Sequence, residues 1–519
     1  MKKAIYLIIA LIGLSAPSCS DSMLDFSPTD SGSGKELLKS ASTAITSVNG
    51  VYRSMWTAGW STTANTHQCF GIAAYNLALD CMADDLIMQS QGNGWFWGDH
   101  CYNVKSNYTS SAFRSYDVWY ANYKWIANVN YIIDAEPEMA GTEADVAYVA
   151  GQAYAIRALC YLNLATWFSR APYNSLTGAS RWNEPCVPVY TTGTSIDTGG
   201  QPRESLRTVY GRIDQDIDHA IELLEKARET TLAENNKSHI NLYVALGIKS
   251  RACLAEGDWD GAFKAAKRVI DEGGYAVGTK SDLTGGMNSL DKQNVMWGAG
   301  IQVADQAGGY AGFFTHMDNK EGAYAKSAPK LISKQLYNRI SATDIRRDWW
   351  DPSDKESPYV SKKFSFANVA SFLGDYIYMR VEEMYFTAAE AALRLDDLKS
   401  ARELMNTVMA ERDPGYSANN RSGTLLGATT TTWTGSFLEN ILTHRRIELW
   451  GEYGRLFDVR RLGQGIDRRT DDGFSEECIS MMNRRNVNIT KADTYDWVLT
   501  IPKAELDANP NINEEDQNP

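Results

Sequence analysis

Apolar residues recur three and four positions apart through 115–134, where Trp119, Tyr123, Ile126, Val129 and Ile133 share one stripe. The same spacing runs through 144–168 (Val149, Ala153, Ile156, Leu159, Leu162) and 204–228 (Leu206, Val209, Ile213, Ile217, Ile221, Leu224). A period near 3.6 predicts amphipathic helices whose stripes are packing faces. Ser436 is placed to cap a further helix containing Ile441 to Leu449. Val295–Ile301 reads as a strand. The stretches 57–114, 169–203, 273–375 and 413–435 keep no helical period and read as long loops. Loops of that length usually carry function.

Two segments share a tighter pattern. Residues 241–271 read as a helix, a turn at Gly257-Asp258-Trp259, and a helix carrying Ala262, Ala265 and Ala266. Residues 381–411 repeat it, with Ala388, Ala389, Ala391 and Ala392, a turn at Asp396-Asp397-Leu398, and then Ala401. Small residues let paired helices approach closely, and both segments resemble tetratricopeptide hairpins. Because they stand far apart in the chain, a clean tandem array is not expected.

The first residues change the picture. Lys2 and Lys3, an apolar run from Ala4 to Leu14 and small residues before Cys19 predict an export signal, shorter than the roughly 20 apolar residues that span a bilayer. Cys19 then stands where a bacterial lipobox places its acylated cysteine. A formal net charge of −13 argues against a nucleic-acid partner, which requires a basic face. Cys160 and Cys253 read as small buried hydrophobes, whereas Cys69, Cys81 and Cys101 leave room for one disulfide that spacing does not assign. The six histidines form no HExxH or HxxxH cluster, so no metal site is expected.

Catalytic signals are weak. With 64 acidic residues, adjacent carboxylates such as Asp84-Asp85 and Asp396-Asp397 read first as turn and cap residues. No nucleophile elbow, P-loop or dinucleotide fingerprint is present. Aromatic content is more telling, with 15 Trp and 27 Tyr. Trp119, Trp125, Trp167, Trp259 and Trp450 fall in predicted helices and read as core. Gly92-Asn93-Gly94-Trp95-Phe96-Trp97-Gly98-Asp99-His100-Cys101-Tyr102-Asn103 instead puts four rings on a glycine-flanked loop, and Gly308-Gly309-Tyr310-Ala311-Gly312-Phe313-Phe314 forms a second one. Exposed rings stack on the C–H faces of sugars. Trp95, Trp97, Tyr102, Asn103, Tyr310, Phe313 and Phe314 are therefore the expected ligand contacts. The alternative for each ring is a plug holding its loop to the scaffold. Trp56, Trp60, Trp349 and Trp350 rank below them, since adjacent Trp349 and Trp350 on a strand put one ring outward.

Several blocks together resemble the SusD/RagB family. They are Cys19-Ser20-Asp21-Ser22-Met23-Leu24-Asp25-Phe26-Ser27-Pro28; the helix with Arg157 and Tyr161, followed by Trp167-Phe168 and Ala171-Pro172-Tyr173; and Gly257-Asp258-Trp259. Met379 to Tyr385, Arg445-Arg446-Ile447-Glu448-Leu449 with Glu452, Arg455, Asp458 and Arg460, and the ending Ile501-Pro502, Asn509-Pro510-Asn511 and Gln517-Asn518-Pro519 complete the set. Ser169-Arg170 departs from the glycine usual after the phenylalanine. Taken bottom-up, the arginines and acids of 445–460 alternate at helical spacing and read as a structural charge network.

The resemblance implies a mainly α fold: a TPR-like helical hairpin scaffold with a loop-rich ligand-binding region and few short strands. Residues 1–18 would be a lipoprotein signal peptide and 19–519 one SusD-like domain, with loop-rich insertions at 57–114 and 273–375. It implies a non-enzymatic, lipid-anchored protein of the outer-membrane surface, without a cofactor, that captures oligosaccharides. Its partner would be a SusC-like TonB-dependent transporter. The alternatives are a RagB-like peptide binder and a helical-toroid glycoside hydrolase, the latter needing two carboxylates facing one cleft.

Overall fold

A computed structural model describes residues 34–58, 66–102, 113–195, 197–233, 237–303, 311–492 and 494–519. Numbering the helices of eight residues or more, they are α1 (Ala41–Ser54), α2 (Ile72–Met82), α3 (Phe113–Ala135), α4 (Glu143–Phe168), α5 (Leu206–Lys226) and α6 (Leu242–Glu256). After these come α7 (Trp259–Glu272), α8 (Val381–Arg394), α9 (Leu398–Ala410), α10 (Phe437–Glu448), α11 (Arg455–Leu462) and α12 (Glu476–Arg484). The three long periodic stretches thus fold as α3, α4 and α5. Side-chain caps fix many starts: Thr142 accepts from Asp145 N–H, Ser205 from Thr208 N–H and Ser436 from Glu439 N–H. Among the described residues no helix is long and apolar enough to cross a membrane.

Both predicted hairpins form. Asp258 caps α7 and Asp397 caps α9, each accepting from the backbone N–H three residues on, Gly261 and Ser400. Gly257 takes a left-handed φ of +77° at the first turn, where a Cβ would meet the Tyr173 ring at 2.5 Å.

Neighbouring helices pack in succession, α3 on α4, α4 on α5, α5 on α6 and α6 on α7. The stack then continues across the sequence gap, because α8 lies on α7 with α9 and α10 beyond it. The two distant hairpins are therefore neighbours in one continuous helical array. Buried Ala262 of α7 and Ala391 of α8 belong to one small apolar cluster with Cys253 and Leu254, so the alanines serve this contact as well as their own hairpins.

The described residues of 273–380 fold back as an excursion with short strands. Val295–Ala299 pairs antiparallel with Tyr376–Arg380, as the predicted strand requires. Leu331–Ile332 lies between Leu86–Ile87 and Val360–Ser361, and Trp350–Asp351 completes that four-stranded sheet. Trp349 and Trp350 are both buried, and neither points outward as expected; Trp350 packs edge-on to Trp450 at 5.7 Å. Conversely Trp259, expected in the core, is half-buried under the Arg394 guanidinium.

The stretch 57–114 also contains α2, an element its sequence did not suggest. All of its side chains except half-buried Asn76 are buried, so it has no polar face to mark a period.

Candidate functional site

The first ring-bearing loop is anchored from beneath. Gly92 takes φ +53°, and a Cβ there would lie 2.5 Å from Ser327 O, so the loop runs hard against the 327–328 backbone. Phe96 N–H donates to Gln68 Oε1 at 2.8 Å. Asp99 accepts from Arg114 Nε at 2.7 Å and Nη2 at 3.0 Å, and the Tyr102 hydroxyl donates to Met82 O at 2.7 Å. His100 stacks on Phe474 with ring centres 5.7 Å apart. Phe96, Trp97 and Tyr102 are buried. For Trp97 and Tyr102 the structure thus favours the plug over the exposed ring.

Trp95 is different. It is half-buried and stacks on the His67 ring, with centres 5.0 Å apart and planes 18° from parallel. Tyr324 closes the group, its ring 6.0 Å from Trp95 and its hydroxyl 2.7 Å from His67 Nδ1. His67 and Tyr324 are half-buried as well, so the three rings form a partly open aromatic platform. Exposed Gln91 and Asn93 stand in the loop beside it, with amides able to bond hydroxyls.

The described end of the second predicted loop is closed as well. Phe313 and Phe314 are buried, Phe313 against Phe364 at 5.1 Å and Phe314 against Phe366 at 5.7 Å. Buried His316 follows on the same short helix and packs edge-on to Phe96 at 4.9 Å. Its Nε2 lies 2.6 Å from His67 O, and burial together with the nearby Lys330 charge holds its pKa down to about 3, so the ring is neutral. The first loop meets the residues that follow the second one, through Trp95–Tyr324 and Phe96–His316. Asn103 and Tyr310, also expected as contacts, lie outside the described residues, as does Cys19.

Sequence reasoning missed His67 and Tyr324. His67 carries no pattern in the sequence beyond its titratable ring, and Tyr324 sits in the five-residue helix Ala323–Ser327, too short to show a period.

Neither carboxylate pair resembles a catalytic dyad. Asp84 and Asp85 are buried beside Arg446 and Arg455. Burial alone would raise the Asp84 carboxyl, but the two guanidinium groups outweigh it and hold it down to about 2. Asp396 is an exposed turn residue with φ +62°, and Asp397 is the α9 cap. Among the described residues no group of three or more His, Cys, Asp or Glu is placed to hold a metal ion. Cys69, Cys81 and Cys101 are buried, and among the described residues no disulfide joins any of them.

Residues 326–519 match the family model described as the SusD family, and residues 43–254 match one described as starch-binding, associating with the outer membrane. No curated protein matches the chain. Among solved structures, a SusD-like carbohydrate-binding protein from Bacteroides vulgatus is 25% identical, with a TM-score of 0.72 over 92% of this chain and 98% of that one. A SusD superfamily protein from Bacteroides thetaiotaomicron is 22% identical, with a TM-score of 0.72 over 92% and 100%. Surface glycan-binding protein A from the same species, in complex with laminarihexaose, is 16% identical, with a TM-score of 0.64 over 92% and 99%. At these last two identities the likeness is one of fold.

Proposed function

We propose, from the premise that this chain belongs to the SusD family, that it captures extracellular oligosaccharides at the cell surface and hands them to a SusC-like TonB-dependent transporter. In this reading Cys19 carries the lipid that anchors the protein to the outer membrane. It binds its ligand and does not cleave it.

The observation that carries the reading is the Trp95–His67–Tyr324 platform. A pyranose lies flat on an indole face, and each well-placed ring contact contributes about 0.5–1.5 kcal/mol beyond burial. Half-buried rings fixed by stacking and by the Tyr324–His67 hydrogen bond lose little freedom on binding, which favours affinity. In this reading buried Trp97, Tyr102, Phe313 and Phe314 act as anchors for the loops around the platform.

The test is affinity electrophoresis and calorimetry of the unlipidated mature chain against a polysaccharide panel and a peptide pool. Binding of one glycan, weakened up to about tenfold by Trp95→Ala, is expected. Binding confined to peptides would replace the sugar reading with a RagB-like one, and release of reducing ends would replace it with hydrolysis.

A further inference from the structure

A second aromatic cleft, sharing no residue with the Trp95 platform, opens on the outer side of α3. Its volume is about 500 Å³, within the range of small-ligand pockets. Trp119, Tyr120, Tyr123, Tyr190 and Glu505 line it, with the Tyr190 ring edge-on to Tyr123 at 5.8 Å. Lys124, Ser195 and Thr198 are exposed at the rim.

The outward face of a scaffold helix is normally polar. Here Tyr116, Tyr120 and Tyr123 follow one another at helical spacing and remain half-exposed. Tyr116 and Tyr120 stack with centres 5.4 Å apart and planes 13° from parallel, so the aromatic surface runs past the cleft along α3.

The rings are held by their polar tips. Trp119 Nε1–H donates to Glu505 Oε2 at 3.1 Å, the Tyr123 hydroxyl donates to Pro188 O at 2.7 Å, and the Tyr190 hydroxyl accepts from Gln201 N–H at 3.0 Å. The loop that carries Tyr190 is equally fixed. Its carbonyls accept from Tyr161 (Tyr190 O, 2.9 Å), Arg157 (Thr191 O, 2.8 Å) and Asn130 (Thr192 O, 2.9 Å). Arg157 is locked in turn by Asp216, through two bonds of 2.7 Å. The ring faces are therefore set in place before any ligand arrives.

We propose that this cleft is a second saccharide site, which takes one or two pyranose units of the same glycan that the Trp95 platform binds. The sugar's C–H faces stack on Tyr120 and Tyr190. Its hydroxyls bond the side chains of Ser195 and Thr198 and the spare lone pairs of Glu505, whose oxygens each accept one bond within the protein, from Trp119 and Asn509. The ligand class rests on the proposed function. Two sites on one rigid chain hold a long polysaccharide more tightly than either alone.

Calorimetry with a short oligosaccharide of whichever polysaccharide the panel retains tests it, alongside melting temperatures. Two sugars per wild-type chain are expected, falling to one in Tyr120→Ala and to one in Trp95→Ala. Ser195→Trp, which fills the cleft without removing a wall ring, should act like Tyr120→Ala. A wild-type stoichiometry of one, abolished by Trp95→Ala and untouched by the cleft variants, would overturn the second site while leaving the glycan reading intact. Failure of every glycan, with an aromatic peptide bound and then lost in Tyr120→Ala, would overturn both.

Discussion

Arg446 reaches 361 positions back along the chain to Asp85, with Nε 2.9 Å from Oδ2 and Nη2 2.6 Å from Oδ1. The same guanidinium lies 3.0 Å from Asp84 Oδ2, and Trp450 Nε1–H donates to Asp85 O at 2.9 Å. One side chain thus joins the end of α2 and the first strand to α10. Removing it leaves two buried carboxylates with Arg455 as their remaining cation. Arg446→Met is expected to cost about 3–5 kcal/mol in urea unfolding, as for other broken buried pairs. A loss below about 1 kcal/mol would mean that Arg455 alone satisfies both acids.

Trp95 and Trp97, two residues apart, should respond differently. Trp95→Ala is expected to weaken glycan binding with the melting temperature nearly unchanged. Trp97 is 3% exposed, so Trp97→Ala creates a core cavity and should cost about 3–5 kcal/mol. Thermal melts read beside binding isotherms separate the two, and equal effects from both variants would place Trp95 in the core.

Stability should fall as the solution is made alkaline. Glu256, near the end of α6, is pushed up to about 9 from its ordinary 4.5 by burial and then by Asp214 and Asp258. Asp214, on α5, is pushed up to about 6 from 3.8 by burial and by Asp218, against the lowering effect of Lys249. Between about pH 4 and 9 the folded chain therefore holds protons that the unfolded chain has released. Their stabilisation is complete below that window and is lost as pH rises through it. Urea midpoints from pH 5 to 9 should decline, and Glu256→Gln should flatten the decline. An equally steep slope in the variant would rule out this pair as its source.

Asp397 caps α9 with a 3.0 Å bond from Ser400 N–H. Asp397→Ala should cost about 1 kcal/mol of unfolding free energy, and Asp397→Ser should restore most of it. Since the residue is exposed, packing plays little part, and failure of the serine to rescue would point to something other than the cap.

What the sequence determined by itself is local. The 3.6-residue stripes of α3, α4 and α5, the caps at Ser436 and Asp397, and the turn at Gly257-Asp258-Trp259 all express interactions within a few residues, and each formed where its pattern placed it. The alternating charges after Arg445 announced a structural charge network, but neither its burial nor most of its partners. Glu448 takes hydrogen bonds from Arg346, Arg380 and Arg412, which come from other parts of the chain, while Arg445 pairs with Asp458. Tertiary structure alone decided three further matters: that α7 and α8 would meet, that α2 is a helix, and that Trp95 is half-open while Trp97, Tyr102, Phe313 and Phe314 are closed. The physical reason is common to all three. Periodicity reports which side of an element avoids water, but a ring in a loop or a helix buried all round has its exposure set by residues far away in sequence. For Trp95 those residues include Tyr324, whose approach depends on how the 273–380 excursion folds back onto the helical array.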